Sequence, residues 1–167
     1  ISGLDTRALT LHLRDRGVMR AGIFTGDKAS APIETLIAEI KASQEMKGRS
    51  LSAEVSTQQP YTVAHEGEYV GKVAILDLGI KRSTIENMVA RGLEVEVLPA
   101  SSSFEALTAS KPDAVFYSNG PGDPETATVQ VETLQQVLKA GIPFFGICFG
   151  NQLLGRALGF ETYKLAF

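Results

Sequence analysis

The period of the hydrophobic positions changes along this chain and divides it. Over Leu4 to Arg16, Leu4, Ala8, Leu11 and Asp15 share one face with Leu9 and Leu13 adjacent, a helical spacing that stops at Gly17. Asp5 or Ser2 can cap its start. Residues 18–25, Val-Met-Arg-Ala-Gly-Ile-Phe-Thr, read as a short strand. A second helix follows from Pro32, whose ring the first turn tolerates, with Ile33, Leu36, Ile37 and Ile40 at the spacing of one buried face. Between 42 and 71 Ser, Gln, Glu, Lys and Gly dominate, Pro60 interrupts and no period persists. A long connection is expected there, with room for a short strand around Tyr61 to Ala64. The expected organisation is therefore a small first region over 1–45, a linker over 46–71 and a second region over 72–167.

From Lys72 onward the pattern is regular. Strands are expected at Val73–Leu78, Glu94–Leu98, Asp113–Tyr117 and Pro143–Ile147, and helices at Ile80–Arg91, Ser103–Ser110, Glu125–Ala140 and Phe149–Leu158. Several strands are apolar runs rather than alternating ones, as expected when helices cover both faces of a parallel sheet. The fold class this predicts is α/β, a flavodoxin-like doubly wound parallel sheet, preceded by part of a smaller α/β N-terminal domain. Ligands of such sheets bind outside the carboxyl ends of the strands.

Composition narrows the function classes. The 167 residues are 44% hydrophobic and 21% charged with a net charge of -3, so the chain can bury a core and has no whole-chain attraction to nucleic acid or anionic lipid. No apolar run reaches the length of a membrane span. A single cysteine rules out an internal disulfide, and a reducing cytoplasm is the expected location. One Cys and two separated histidines, His12 and His65, form no metal-ligand spacing. The four early arginines Arg7, Arg14, Arg16 and Arg20 read as a solvated helix face or a subunit contact. The chain opens on Ile-Ser-Gly and closes on the strand-like Tyr-Lys-Leu-Ala-Phe, from which a fragment of something longer is expected.

Chemistry concentrates at two strand ends. The only cysteine, Cys148, is the centre of Gly-Ile-Cys-Phe-Gly, between a predicted strand and a predicted helix. A strand turning abruptly into a helix strains the turn residue and demands small neighbours, here Gly146 and Gly150. The first amides of the helix favour a thiolate at that point. A buried structural cysteine is the bland alternative. The second feature is Ser118-Asn119-Gly120-Pro121-Gly122-Asp123-Pro124. Its glycines leave amides free to act as an oxyanion hole, although such a loop can also be a plain turn with Asp123 capping and Pro124 opening the next helix.

Gly-Ile-Cys-Phe-Gly-Asn-Gln (146–152) with Ser-Asn-Gly-Pro-Gly-Asp-Pro (118–124), in this order, resembles the class I, triad-type glutamine amidotransferases. Asp-Leu-Gly-Ile-Lys-Arg (77–82) and Ile-Ser-Gly-Leu-Asp-Thr-Arg (1–7) narrow the resemblance to the small chains of carbamoyl phosphate synthetases. The resemblance implies that Cys148 attacks the side-chain amide of glutamine, that the amides of Gly120 and Phe149 form the oxyanion hole, and that Gly122 and Gln152 hold the substrate. It implies, as partner, a carbamoyl phosphate synthetase large subunit, which receives the ammonia and carries the ATP and magnesium. No cofactor is expected in this chain itself.

The chain departs from the family pattern at Asn151, where His is usual, and at Phe149, where Leu is commoner. Neither removes a catalytic group, because Phe149 contributes only its backbone amide. The family's His-x-Glu segment would lie beyond Phe167, so low or absent glutaminase activity is expected of these residues alone; His12 and His65 read as solvated. Two other readings stay open on residues alone: another cysteine-dependent amidotransferase or hydrolase of the same fold, and a non-catalytic interaction module. Nucleotide binding is weaker, since Asp77-Leu78-Gly79 stands where a G-x-G-x-x-G or Walker pattern would be.

Overall fold

The computed structural model describes residues 3–163 and Leu165. It divides into two compact units, one running to Glu45 together with the stretch from Tyr163, the other Met46–Thr162. Ser2 as a cap, the first two residues of the 1–7 motif and most of the C-terminal strand-like stretch lie outside the described residues.

In the first unit, helix α1 (Thr6–Arg16) starts where the Asp5 carboxylate accepts the Ala8 N–H at 2.9 Å. It ends at Gly17, whose φ of 86° only glycine adopts without strain and whose N–H donates to Leu13 O at 2.8 Å. Helix α2 (Ile33–Ala42) carries the amphipathic pattern, yet Leu36 is its only buried residue and Ile33 and Ile37 are exposed. Residues 18–25 are not a strand, contrary to expectation. An extended segment becomes a strand only by pairing its backbone, and no described residue of this unit forms a ladder with it. Val18, Met19 and Ile23 are accordingly exposed.

The second unit is a five-stranded sheet in the order β1-β3-β2-β4-β5. Strands β2 (Gly71–Asp77), β3 (Leu93–Pro99), β4 (Ala114–Tyr117) and β5 (Phe144–Gly146) run parallel, while β1 (Tyr61–Val63) lies antiparallel on β3. The alternation of strand and helix is as predicted, and the parallel order β3-β2-β4-β5 is the flavodoxin-like one, with its direction of winding reversing between β2 and β4. Apolar runs are needed because both faces are covered. Val73 and Ile75 of β2 join Val95, Val97 and Phe116 beneath helix α4 (Arg82–Val89). Ala74 and Leu76 join Val115 and Tyr117 on the other face. That face is covered by α5 (Phe104–Thr108), α6 (Thr128–Lys139) and α7 (Phe149–Ala157) through Leu107, Leu134, Val137 and Leu153. Burial raises the Tyr117 phenol above its usual range, and its hydroxyl donates to Gln130 O at 3.2 Å.

The stretch expected as a linker, 46–71, is built into this second unit instead. It contributes β1 and the short helix α3 (Ser52–Val55), and polar bonds fasten it down: Ser56 Oγ accepts the Ala100 N–H at 2.8 Å and Asp77 accepts the Thr57 N–H at 2.8 Å. Polar composition suggested solvent; here a polar side chain and a backbone N–H of the stretch are bonded to the end of the sheet.

Candidate active site at the carboxyl ends of the parallel strands

The β5-to-α7 turn is strained at one residue. Cys148 has φ 52° and ψ -107°, and Lys111 is the one other non-glycine residue with positive φ among those described. Such a conformation persists only when its surroundings impose it. Here they do: a Cβ on Gly146 would lie 2.6 Å from Gly150 C, and one on Gly150 would lie 2.3 Å from Tyr117 O. Neither position has room for a side chain. Hydrogen bonds complete the constraint, with Ile147 N–H donating to Tyr117 O at 3.1 Å and Gly150 N–H to Ile147 O at 3.0 Å and Ser118 O at 3.2 Å. The Phe149 side chain is buried in the core with Tyr117 and Leu153, anchoring the start of α7. Cys148 itself is exposed. The bland alternative of a buried structural thiol does not hold.

The neighbouring loop, 118–124, leaves β4 and is fixed from three directions. Ser118 is fully buried; its Oγ accepts the Leu78 N–H at 2.9 Å and donates to Asn119 O at 2.8 Å. Asn119 Nδ2 donates to Gly79 O at 2.8 Å. Gly120 passes so close to Leu78 that a Cβ would lie 2.0 Å from the Leu78 carbonyl oxygen. Gly122, at φ 112°, runs under the 49–51 backbone, where a Cβ would approach Arg49 O to 2.9 Å. Asp123 caps the 3-10 turn Pro124–Thr126 through Glu125 N–H at 3.0 Å and also accepts Gly48 N–H at 2.7 Å. Those two backbone bonds, Gly48 first, hold its carboxyl below the usual carboxylate range. The capping role and the glycine-lined approach thus coexist in one loop.

Among the described residues, neither Gly120 N–H nor Phe149 N–H has a hydrogen-bond partner. The Gly150-to-Ser118 bond ties their two segments together at adjacent strand ends, so Cys148, Phe149 and the 118–120 backbone share one neighbourhood. Gln152 is exposed in the first turn of α7, its N–H donating to Cys148 O at 3.0 Å, and Gly122 packs under the 49–51 backbone. His65 bonds Gly67 O at 3.1 Å and stacks edge-on against Tyr69, while the flanking Glu66 and Val70 N–H groups bond Val89 O and Gly92 O. Those bonds place it at the amino ends of β2 and β3, the far end of the sheet from Cys148. His12 lies exposed on α1. No group of three His, Cys, Asp or Glu suited to a metal occurs among the described residues, nor any helix long and apolar enough to cross a membrane.

Residues 74–167 match the family model described as glutamine amidotransferase class-I. The chain belongs to this family. Similar curated proteins are carbamoyl phosphate synthase small chains. That of Streptomyces coelicolor is 55% identical over 168 residues, covering 100% of this chain and 44% of the relative. That of Bifidobacterium longum is 54% identical over 179 residues, with the same coverage. That of Corynebacterium efficiens is 50% identical over 167 residues, covering 100% of this chain and 42% of the relative. The amidotransferase chain therefore spans less than half the length of these relatives. Among solved structures, a Thermoplasma acidophilum protein described as a candidate component of GMP synthase is 18% identical, covers 57% of this chain and 47% of its own, and aligns at a TM-score of 0.45.

Two parts of the candidate site escaped the sequence reading. One is the 46–51 backbone over Gly122, reached across some seventy residues of chain with no local signal. The other is Asp77, buried at the end of β2, whose Oδ1 accepts both Gly79 and Ile80 N–H at 2.9 Å. A signal existed for the second: an acidic residue two before a glycine at a strand end marks a side chain that closes its own turn. This turn also explains why α4 starts at Arg82 rather than Ile80.

Proposed function

We propose that this chain provides the glutamine-hydrolysing site of a carbamoyl phosphate synthase small chain. The observation that carries the reading is an exposed cysteine held at positive φ beside two backbone N–H groups that have no partner among the described residues. Cys148 Sγ, as thiolate, attacks the side-chain carboxamide carbon of glutamine, and the carbonyl π pair moves onto oxygen. The N–H groups of Gly120 and Phe149 stabilise that oxyanion; one such donor contributes about 3–4 kcal/mol to the barrier. The tetrahedral intermediate collapses to a thioester as the amine takes up the proton the Cys148 thiol released on activation and leaves as ammonia. Water then hydrolyses the thioester, giving glutamate and restoring the thiol. Gly122 and Gln152 bind the glutamine. A large synthetase subunit, carrying ATP and magnesium, takes the ammonia and joins it to bicarbonate. The unit up to Glu45 belongs to the N-terminal domain of such a small chain, and the free thiol suits a reducing cytoplasm.

The test is covalent. A glutamine-like chloromethyl ketone at pH 7 is expected to label Cys148 at least about tenfold faster than it labels free cysteine, and glutamine is expected to slow that labelling. In the native protein with its synthetase subunit, Cys148→Ala is expected to remove glutamine-dependent ammonia release. Labelling no faster than free cysteine and indifferent to glutamine would overturn the assignment.

A further inference from the structure

We propose that Asp77 is a positioning residue for this reaction, setting the Gly120 N–H through the 78–80 turn and the Asn119 side chain; this rests on the oxyanion role given to Gly120 above. Asp77 is 5% exposed and contacts no reacting group. Its carboxylate accepts three backbone N–H bonds: Gly79 and Ile80 on Oδ1 at 2.9 Å each, and Thr57 on Oδ2 at 2.8 Å. These bonds fix the turn against the 56–57 segment, which is itself bonded to the end of β3 through Ser56 Oγ and Ala100 N–H. The turn then serves as the surface on which the catalytic loop rests. Gly79 O accepts Asn119 Nδ2 at 2.8 Å, Leu78 N–H reaches Ser118 Oγ at 2.9 Å, and the Leu78 carbonyl sits against Gly120 with no room for a Cβ. A shift of the turn therefore moves Gly120, and donors misplaced by about 1 Å lose roughly a hundredfold in rate.

Position-setting predicts a pattern that general destabilisation does not. In the native protein, Asp77→Ala is expected to lower kcat for glutamine hydrolysis about 10–100-fold with KM within about threefold of wild type. Asp77→Asn retains an oxygen acceptor for Gly79 and Ile80 but turns an amide NH2 toward the Thr57 N–H, and is expected to restore part of kcat. Asn119→Ala is expected to lower kcat less than Asp77→Ala, and the double variant to be no worse than Asp77→Ala, since both act along one path. Multiplying losses in the double variant, or a loss confined to KM, would overturn the proposal. Amide hydrogen exchange over 118–122 reads the link without turnover: Asp77→Ala is expected to speed it while β4 is unchanged, and equal exchange would refute it. Should Asp77→Ala fail to fold, Asn119→Ala must speed the same exchange and Asp77→Asn must speed it less, or the proposal falls. If instead Cys148→Ala leaves turnover intact, the oxyanion reading fails, and that result is distinct from any of these.

Discussion

Up to Glu45 the chain forms helices on which Leu36 is the only buried residue among those described, whereas from Met46 two clusters of buried side chains fill both faces of a sheet. The local patterns are equally clean in both regions. Helix α2 has its apolar residues at the spacing of one face, as strand β2 has its apolar run, but a period specifies which side of an element is apolar and not what covers it. Stability and a defined site both follow from the covering. In the second region the constraints on Cys148 come from the elbow itself, where Gly150 N–H bonds Ile147 O, and from neighbouring elements: β4 through Tyr117 and Ser118, and the core through Phe149.

The largest expected effect tests that constraint directly. Gly150→Ala places a Cβ 2.3 Å from a backbone oxygen that cannot yield, so a loss of at least about 3 kcal/mol is expected in urea unfolding. Gly155→Ala, five residues along the same helix, meets nothing within 4 Å and is expected to stabilise by about 1 kcal/mol. Equal behaviour of the two variants would break the account of the elbow.

Next in size is core truncation. Leu134, fully buried, is expected to lose about 2–5 kcal/mol on substitution by Ala. Ile33, 62% exposed on α2, is expected to change stability by no more than about 0.5 kcal/mol on the same substitution. A comparable loss at Ile33 would mean that α2 is covered in solution and that the contrast between regions is smaller than described.

The difference in covering also explains how much could be read from residues alone. Strand and helix alternation after Lys72 was legible because burial on both faces forces apolar runs, and the elbow was legible because Gly146 and Gly150 are demanded by backbone contact. The 18–25 strand failed because a β-like composition makes a strand only with a partner. Residues 46–71 were misjudged because their bonds, such as Thr57 N–H to Asp77 and Gly48 N–H to Asp123, join a polar loop to groups 20 and 75 residues away. Polar groups that satisfy distant backbone donors look, in one dimension, like groups that face water. Asp77 and Asn119 both lie in motifs already singled out: Asp77 closes its own turn and was locally legible, whereas Asn119 Nδ2 reaches a carbonyl 40 residues away.

The smallest effect sharpens the boundary between the regions at that loop. Asp123 has its carboxyl held below the usual range by Gly48 and Glu125 N–H groups, so its contribution is present above the unfolded carboxyl pKa near 4 and is lost as pH falls through the depressed folded value. Because the group is largely solvated, the contribution is expected to stay under about 1 kcal/mol. An NMR titration is expected to show the Gly48 amide shift following Asp123 protonation, and Asp123→Asn to abolish that titration. A flat Gly48 signal would detach the 46–51 backbone from the site.

The positive φ of Cys148 places folding and reactivity in opposition at a single residue. Glycine would relax the backbone there at no steric cost, so a selection for thermal robustness alone would favour replacing the proposed nucleophile. Directed evolution of a sturdier protein would therefore need an activity screen running beside it, since the mutation most congenial to the scaffold at position 148 removes the proposed nucleophile.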